Sequence, residues 1–261
     1  MVTSNLLGGL GNYMFQITTA YSVAWDNNDK AIFNINDSHK VHRHLRTYLK
    51  NILRNIEFVQ TPLPIQHTHG EPHFHYHPIT YNSNLKLHGY YQSEKYFIHH
   101  KKEILDLYAI DDESRGYIEK KYGELLKNKT CSLHIRRGDF MGLKDIHPTC
   151  TLEYYNAAIK EIGDEVTYII FSDDINWCKK NFKSLEDSTN IVYVEDNPDF
   201  IEMYLMSMCN NNIIANSSFS WWGAWLNVNP HKKVIAPINW FGPANAHLNT
   251  TDLTPKEWTL I

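Results

Sequence analysis

The sequence predicts an α/β protein whose second half builds a parallel sheet wound by helices on both faces. Three observations carry that prediction. From residue 131 onward, short β-branched or apolar runs alternate with amphipathic stretches of helical period, the pattern of repeated βαβ units. Near the start, the glycine loop Gly8-Gly9-Leu10-Gly11 precedes another amphipathic stretch. Charged and hydroxyl-bearing residues gather where the apolar runs stop, and open parallel sheets bind ligands at those carboxyl ends.

In chain order, residues 14–24 after the glycine loop form the first helical segment, and the apolar run AIFNI reads as a strand. Residues 61–84, rich in Pro, His and Asn, lack periodicity and are expected as an irregular surface insertion until LKLHGYYQ resumes a strand. Helices follow at 94–108 and 111–127. Strands are then expected near 131–135, 167–171, 191–194, 213–215 and 233–236, with helices at 152–162, 175–182, 198–208 and 219–226 in the gaps. This organisation reads as an N-terminal α/β domain over 1–128 and a Rossmann-type domain over 129–261.

Composition removes several classes of function. The 261 residues, 43% hydrophobic and 21% charged, can bury a substantial core. A formal charge of −4 supplies no basic field for a polyanion, so nucleic-acid partners are disfavoured and any phosphate site is local. No window approaches the roughly 20 apolar residues that cross a bilayer, and MVTSNLLGGLGN lacks the plan of a secretory signal. A cytoplasmic chain with at most peripheral membrane contact is expected. Cys131, Cys150, Cys178 and Cys209 form no C-x-x-C pair, so free thiols are expected.

The strongest motif is CSLHIRRGDF, an apolar strand ending in His134, Arg136 and Arg137, then Gly138 and Asp139. Strand alternation puts His134 and Arg136 on one face and Arg137 on the other, so one arginine can meet a ligand while its neighbour anchors structure. A guanidinium fork suits a diphosphate and would stabilise it as a leaving group. A surface Arg–Asp pair accounts for the same residues equally well. YIIFSDD places Ser172, Asp173 and Asp174 at another strand end, where they could accept from a base or ribose, or cap the next helix. In ANSSFSWWGAWL, Ser217, Ser218 and Ser220 could donate to phosphate at a helix N-terminus or act as plain caps, and Trp221, Trp222 and Trp225 read as core.

In the first half, Gly11 and Asn12 sit where a glycine loop meets a helix, without the third glycine of a dinucleotide fingerprint or a P-loop lysine. HGYYQSEKYF sets Gln92 and Glu94 among aromatic rings, which suits a sugar. His67, His69, His73, His75 and His77 could hold a transition metal on one strand face, but the segment lacks a carboxylate or cysteine framework. The chain has no D-x-D pair to carry a cation under a nucleotide sugar, so metal-independent chemistry is expected.

Taken together, GGLGNYMFQ, HGYYQSEKYF, HIRRGDF, FSDD and NSSFSWWGAWL resemble, in order and spacing, the α-1,2-fucosyltransferases of glycosyltransferase family 11, over nearly the whole chain. The resemblance implies a GT-B-like fold of two facing Rossmann-type domains with a central cleft, and inverting transfer from GDP-β-L-fucose to O2 of a terminal β-galactose on an oligosaccharide or glycolipid, without a cofactor. By it, Arg136 grips the β-phosphate with His134 in support, Asn12 beside Gly11 reaches the same phosphate, and Asp173 beside Ser172 bonds guanine or ribose. Ser218, Phe219 and Ser220 would cover the diphosphate. Gln92, among its aromatic rings, is placed with the substrate-binding residues, and by chemistry alone Glu94 and Asp139 are both candidates for the general base. One position departs: Tyr13 stands where the family's loop has glutamine. Another GDP-sugar, another acceptor hydroxyl, or a non-catalytic sugar-binding module are the alternatives.

Overall fold

In a computed structural model, residues 1–36, 45–183 and 190–261 are described. They divide into two compact units, Met1–Asp111 with Leu248–Pro255, and Asp112–His247 with Lys256–Ile261. The change of unit therefore falls one helix before the expected 128/129 boundary. The helix at 112–126 goes with the second unit, and residues 248–255 return to the first.

The first unit is built on short parallel strands. Strand β1 (Val2–Ser4) pairs with β5 (Leu85–His88), which pairs in turn with β4 (His67–Gly70), while β2 (Phe33–Asn34) pairs with β3 (Phe58–Val59). Strand β4 corrects the expectation that 61–84 is wholly irregular. Its HTHG sequence is polar because it is an exposed edge strand, bonded to β5 through its backbone alone. Helix α1 (Leu10–Asp26) is buried on almost every side rather than along one stripe. Its polar residues find partners indoors: the Thr18 hydroxyl lies 2.9 Å from the Tyr108 hydroxyl, and Ser22 donates to the Tyr96 carbonyl at 2.8 Å. The expected helix at 94–108 breaks into two 3-10 turns, Glu94–Tyr96 and Ile98–His100, before helix α3 (Lys101–Leu107); the four-residue α2 spans Leu45–Tyr48.

The second unit carries a six-stranded, all-parallel sheet. In chain order its strands are β6 (Thr130–Ile135), β7 (Thr167–Ser172), β8 (Asn190–Tyr193), β9 (Asn211–Ile213), β10 (Val234–Ala236) and β11 (Thr259–Leu260). Across the sheet the order is β11-β10-β9-β6-β7-β8, the doubly wound order in which the chain starts centrally, runs to one edge, then returns to fill the other. Helices α4 (Asp112–Leu126), α5 (Leu152–Ile162), α6 (Ile175–Asn181), α7 (Asp199–Met208) and α8 (Ser218–Trp225) connect and cover it.

Strand β6 is buried along its whole length, its polar Thr130, Ser132 and His134 included. The tryptophans of α8 are core, as expected. Trp221 and Trp222 are fully buried and meet edge to face with centroids 5.2 Å apart. All four cysteines are free. Among the described residues, no helix is long and apolar enough to cross a membrane.

Candidate active site

The sheet order fixes where a ligand belongs. Strand β6 has β7 on one side and β9 on the other, so the connections leaving β6 and β9 run to opposite sides and open a crevice between their carboxyl ends. The RRGD loop leaves β6 at Arg136. The segment leaving β9 ends in Ser217, which caps α8 by accepting from the Phe219 N–H at 3.3 Å. The two motifs meet there: the His134 and Phe219 rings lie 5.6 Å apart.

Arg136 is braced by two carboxylates. Its Nη2 donates to Asp139 Oδ1 at 2.8 Å, and its Nη1 lies 2.9 Å from Asp173 Oδ2. Asp173 is itself positioned by the Arg137 backbone N–H, which donates to Oδ1 at 2.8 Å. A Cβ at 138 would stand 2.5 Å from Asp173 Oδ2 and force that carboxylate to shift. The Arg136 side chain stays one-third exposed (34%), whereas that of Arg137 is 13% exposed, with its guanidinium paired with Asp174 at 3.1 Å and stacked 3.9 Å over the Trp177 ring. Both arginines lie just past β6 and both are paired, Arg136 with Asp139 and Asp173 and the more buried Arg137 with Asp174 at the start of α6.

Asp174 is the N-cap of α6, accepting from the Trp177 N–H at 3.2 Å, and the Ser172 hydroxyl accepts from the Asp174 N–H at 3.0 Å. Ser172 is therefore engaged in the cap. Ser218 and Phe219 are half-buried at the start of α8. Ser220 is buried and donates back toward the Ala215 and Ser217 carbonyls at 3.5 and 3.3 Å, so its hydroxyl holds the turn rather than facing outward.

His134 is almost fully buried, and its Nδ1 has no hydrogen-bond partner. Burial, reinforced by the nearby Arg136 charge, pushes its pKa down from 6.5 to about 3. It is a neutral imidazole at any working pH. An unfolded chain takes up a proton on this residue as pH falls through about 6.5, while the folded chain does not until about 3, so stability is lost across that window. His134→Gln should flatten the fall of Tm between pH 6.5 and 4; parallel pH–Tm curves for variant and wild type would contradict this.

In the first unit the glycine loop is stitched in place by a residue outside the expected set. Gln16 on α1 accepts from the Leu7 N–H at 2.9 Å and donates to the Leu7 and Gly89 carbonyls at 3.3 and 3.2 Å, joining the loop to the GYYQ segment. Gly8 has φ +85°, and a Cβ on it would fall 2.0 Å from Asn12 Nδ2, so both backbone and space demand glycine. Gly11 is buried in the first turn of α1. Asn12 accepts from Gln92 Nε2 at 2.8 Å, so these two candidates form one unit. Tyr13 is buried and its hydroxyl pKa is raised by that burial. Glu94, half-buried, opens a 3-10 turn capped by Ser93, which accepts from the Lys95 N–H at 3.3 Å.

Glu71 was also missed by sequence reasoning, because it lies in the Pro/His-rich stretch. Its carboxylate accepts from the Tyr90 and Tyr91 N–H groups at 2.7 and 2.9 Å, and holds Tyr91 at φ 52°. Burial raises its pKa from 4.5 to about 7 against those two bonds. The His-rich segment does not converge: His73 and His75 stack at 5.0 Å, and among the described residues the three-ligand cluster lies elsewhere, at Asp26, His99 and His100.

A doubly wound sheet with a braced arginine past one central strand and a capped helix past the next has the parts of an enzyme that moves a group from a nucleoside diphosphate. The fold is GT-B-like. Fucosyltransferase NodZ from Bradyrhizobium matches with a TM-score of 0.57 at 13% identity, over 85% of this chain and 91% of its own, and NodZ alpha-1,6-fucosyltransferase soaked with GDP-fucose matches with a TM-score of 0.56 at 13%, over 86% and 92%. The family model for Glycosyl transferase family 11 matches residues 1–261, and the chain belongs to that family of glycosyltransferases. It is 30% identical to an alpha-1,2-colitosyltransferase of Escherichia coli, over 100% of this chain and 99% of the relative. It is 31% identical to the O-antigen biosynthesis glycosyltransferase WbnK of the same species, over 98% of each. Membership of an enzyme family sets aside a purely sugar-binding module.

Proposed function

We propose that the chain transfers a 6-deoxyhexose, L-fucose, from its β-linked GDP donor to O2 of a terminal β-galactoside on a surface glycan, with inversion to an α-1,2 linkage. The observation that carries this reading is Arg136, held past the carboxyl end of β6 by Asp139 and Asp173 with about a third of its side chain exposed. A guanidinium has five N–H donors, and two carboxylate contacts leave donors to spare. The acceptor oxygen attacks C1, the bond from C1 to the phosphate oxygen breaks, and GDP departs with the electron pair. Arg136 neutralises the charge that grows on that oxygen. Asp139, 58% exposed, is the more readily displaced of the two braces, so the diphosphate takes its place on Nη2.

In this proposal Ser218 and Phe219 cover the diphosphate at the positive end of α8, and Asp173 with Ser172 borders the nucleoside. Neutral His134 supports the strand end as an uncharged group, and the Asn12–Gln92 pair with Gly11 serves substrate from the first unit. No divalent cation is needed: the charge comes from Arg136, and the sequence has no D-x-D pair. Glu94 is proposed to take the acceptor proton, and Asp139, once the diphosphate displaces it from Arg136, is the other candidate carboxylate. A Glu94→Gln variant that keeps wild-type kcat would remove that role.

A second donor is favoured by one finding, the colitosyltransferase among the full-length relatives. Colitose is fucose without its 3-hydroxyl, so the reaction at C1 is unchanged. Incubation with GDP-fucose or GDP-colitose and lactose, followed by linkage analysis, decides between them. An α-1,2-fucosylated product is expected, preference for GDP-colitose would reassign the donor, and no α-1,2 product from either would overturn the proposal.

A further inference from the structure

Asp26, His99 and His100 in the first unit each offer one ligand atom, and these atoms all lie within 4.8 Å of one another. His100 Nε2 lies 2.8 Å from Asp26 Oδ1, and His99 Nε2 lies 3.1 Å from both carboxylate oxygens. Those separations are close to the edges of a metal's coordination polyhedron, given Zn–N and Zn–O bonds of about 2.0–2.2 Å. Three contacts hold the frame. The Ser22 hydroxyl, anchored on the Tyr96 carbonyl at 2.8 Å, lies 3.3 Å from His99 Nε2; the Trp25 ring meets His100 edge-on at 5.2 Å; and the adjacent His99 and His100 rings lie 4.4 Å apart.

The setting asks for positive charge. Asp26 is the last residue of α1, where the helix dipole is negative and a carboxylate is disfavoured without a cationic neighbour. His99 is 48% exposed and Asp26 46%, so water can complete the coordination of an ion held by three protein atoms.

We propose that Asp26, His99 and His100 form a binding site for a divalent transition cation of the zinc class, clamping the end of α1 to the 3-10 turn that follows the GYYQSEKYF segment. Two imidazoles and one carboxylate suit zinc, cobalt or nickel and not magnesium, which prefers an all-oxygen shell. The site shares no residue with the proposed transfer chemistry, and its part is to stabilise the first unit.

The test uses the full chain without a polyhistidine tag, treated with chelator, then titrated with ZnCl2 or CoCl2 and with MgCl2 as control. One zinc per chain by calorimetry and a Tm rise of roughly 5 °C at saturating zinc are expected, from the stabilisation due to native-state binding. Cobalt should give a visible absorption band, and magnesium should do neither. Asp26→Asn/His99→Gln should keep its cation-free circular dichroism and lose both the zinc-dependent Tm rise and the cobalt band. His73→Ala/His75→Ala should keep them. No zinc-dependent shift in the wild type, an equal response to magnesium, or a response surviving in Asp26→Asn/His99→Gln but lost in His73→Ala/His75→Ala would each overturn the proposal.

Discussion

Arg136→Ala is expected to lower kcat by about 10²- to 10³-fold, the usual cost of losing one donor to a developing oxyanion. Donor affinity should fall much less, because the interaction strengthens only as charge moves onto the departing phosphate. Arg136→Lys keeps the charge but not the fork that reaches Asp139 and Asp173 together, and it should recover only a small part of the loss. Single-turnover kinetics with GDP-fucose separate this from slow product release. Turnover near wild type in Arg136→Ala would remove the arginine from the mechanism.

Gly138→Ala is expected to cost on the order of 10²-fold in kcat with little change in Tm, the penalty of an ångström-scale misplacement of a reacting group. The added methyl would lie 2.5 Å from Asp173 Oδ2. That carboxylate has to move, and it holds both the Arg137 N–H and the Arg136 guanidinium. Residue 138 is exposed, so the core is untouched. Asp173→Ser should cost activity alone, yet add little further to Gly138→Ala, since both act through one contact. Fully additive losses, or an undiminished kcat in Gly138→Ala, would show that the brace does not orient Arg136.

The second unit was legible in the sequence nearly element by element, because strands such as the one at 167–171 carry continuous apolar runs (YIIF) bounded by amphipathic helices of ordinary length. That one of the two adjacent arginines anchors structure was also legible, since Arg137 pairs with Asp174 and stacks on Trp177. The first unit was less so. Its β4 is four polar residues whose pairing lies in the backbone, which leaves no hydrophobic signal. Helix α1 lacks a clear polar face because it is buried almost all round. The site residues missed, Gln16 and Glu71, act by bonding backbone groups far along the chain, at Gly89 and at Tyr90 and Tyr91. Nothing local marks such a partner. Ser220 shows the converse, a hydroxyl at the right strand end whose bonds are taken by the turn, while the Ser172 hydroxyl accepts from the Asp174 N–H.

Residues 248–255 belong to the first unit although some 136 residues of the second precede them in the chain. Asp252 within that stretch accepts from the Tyr76 N–H at 3.2 Å and pairs with Lys95. On the ribosome, therefore, the unit begun first is completed after the sheet begun second has almost all its strands. Contacts spanning so much sequence form slowly, and until they form the earlier-made unit waits without its strap.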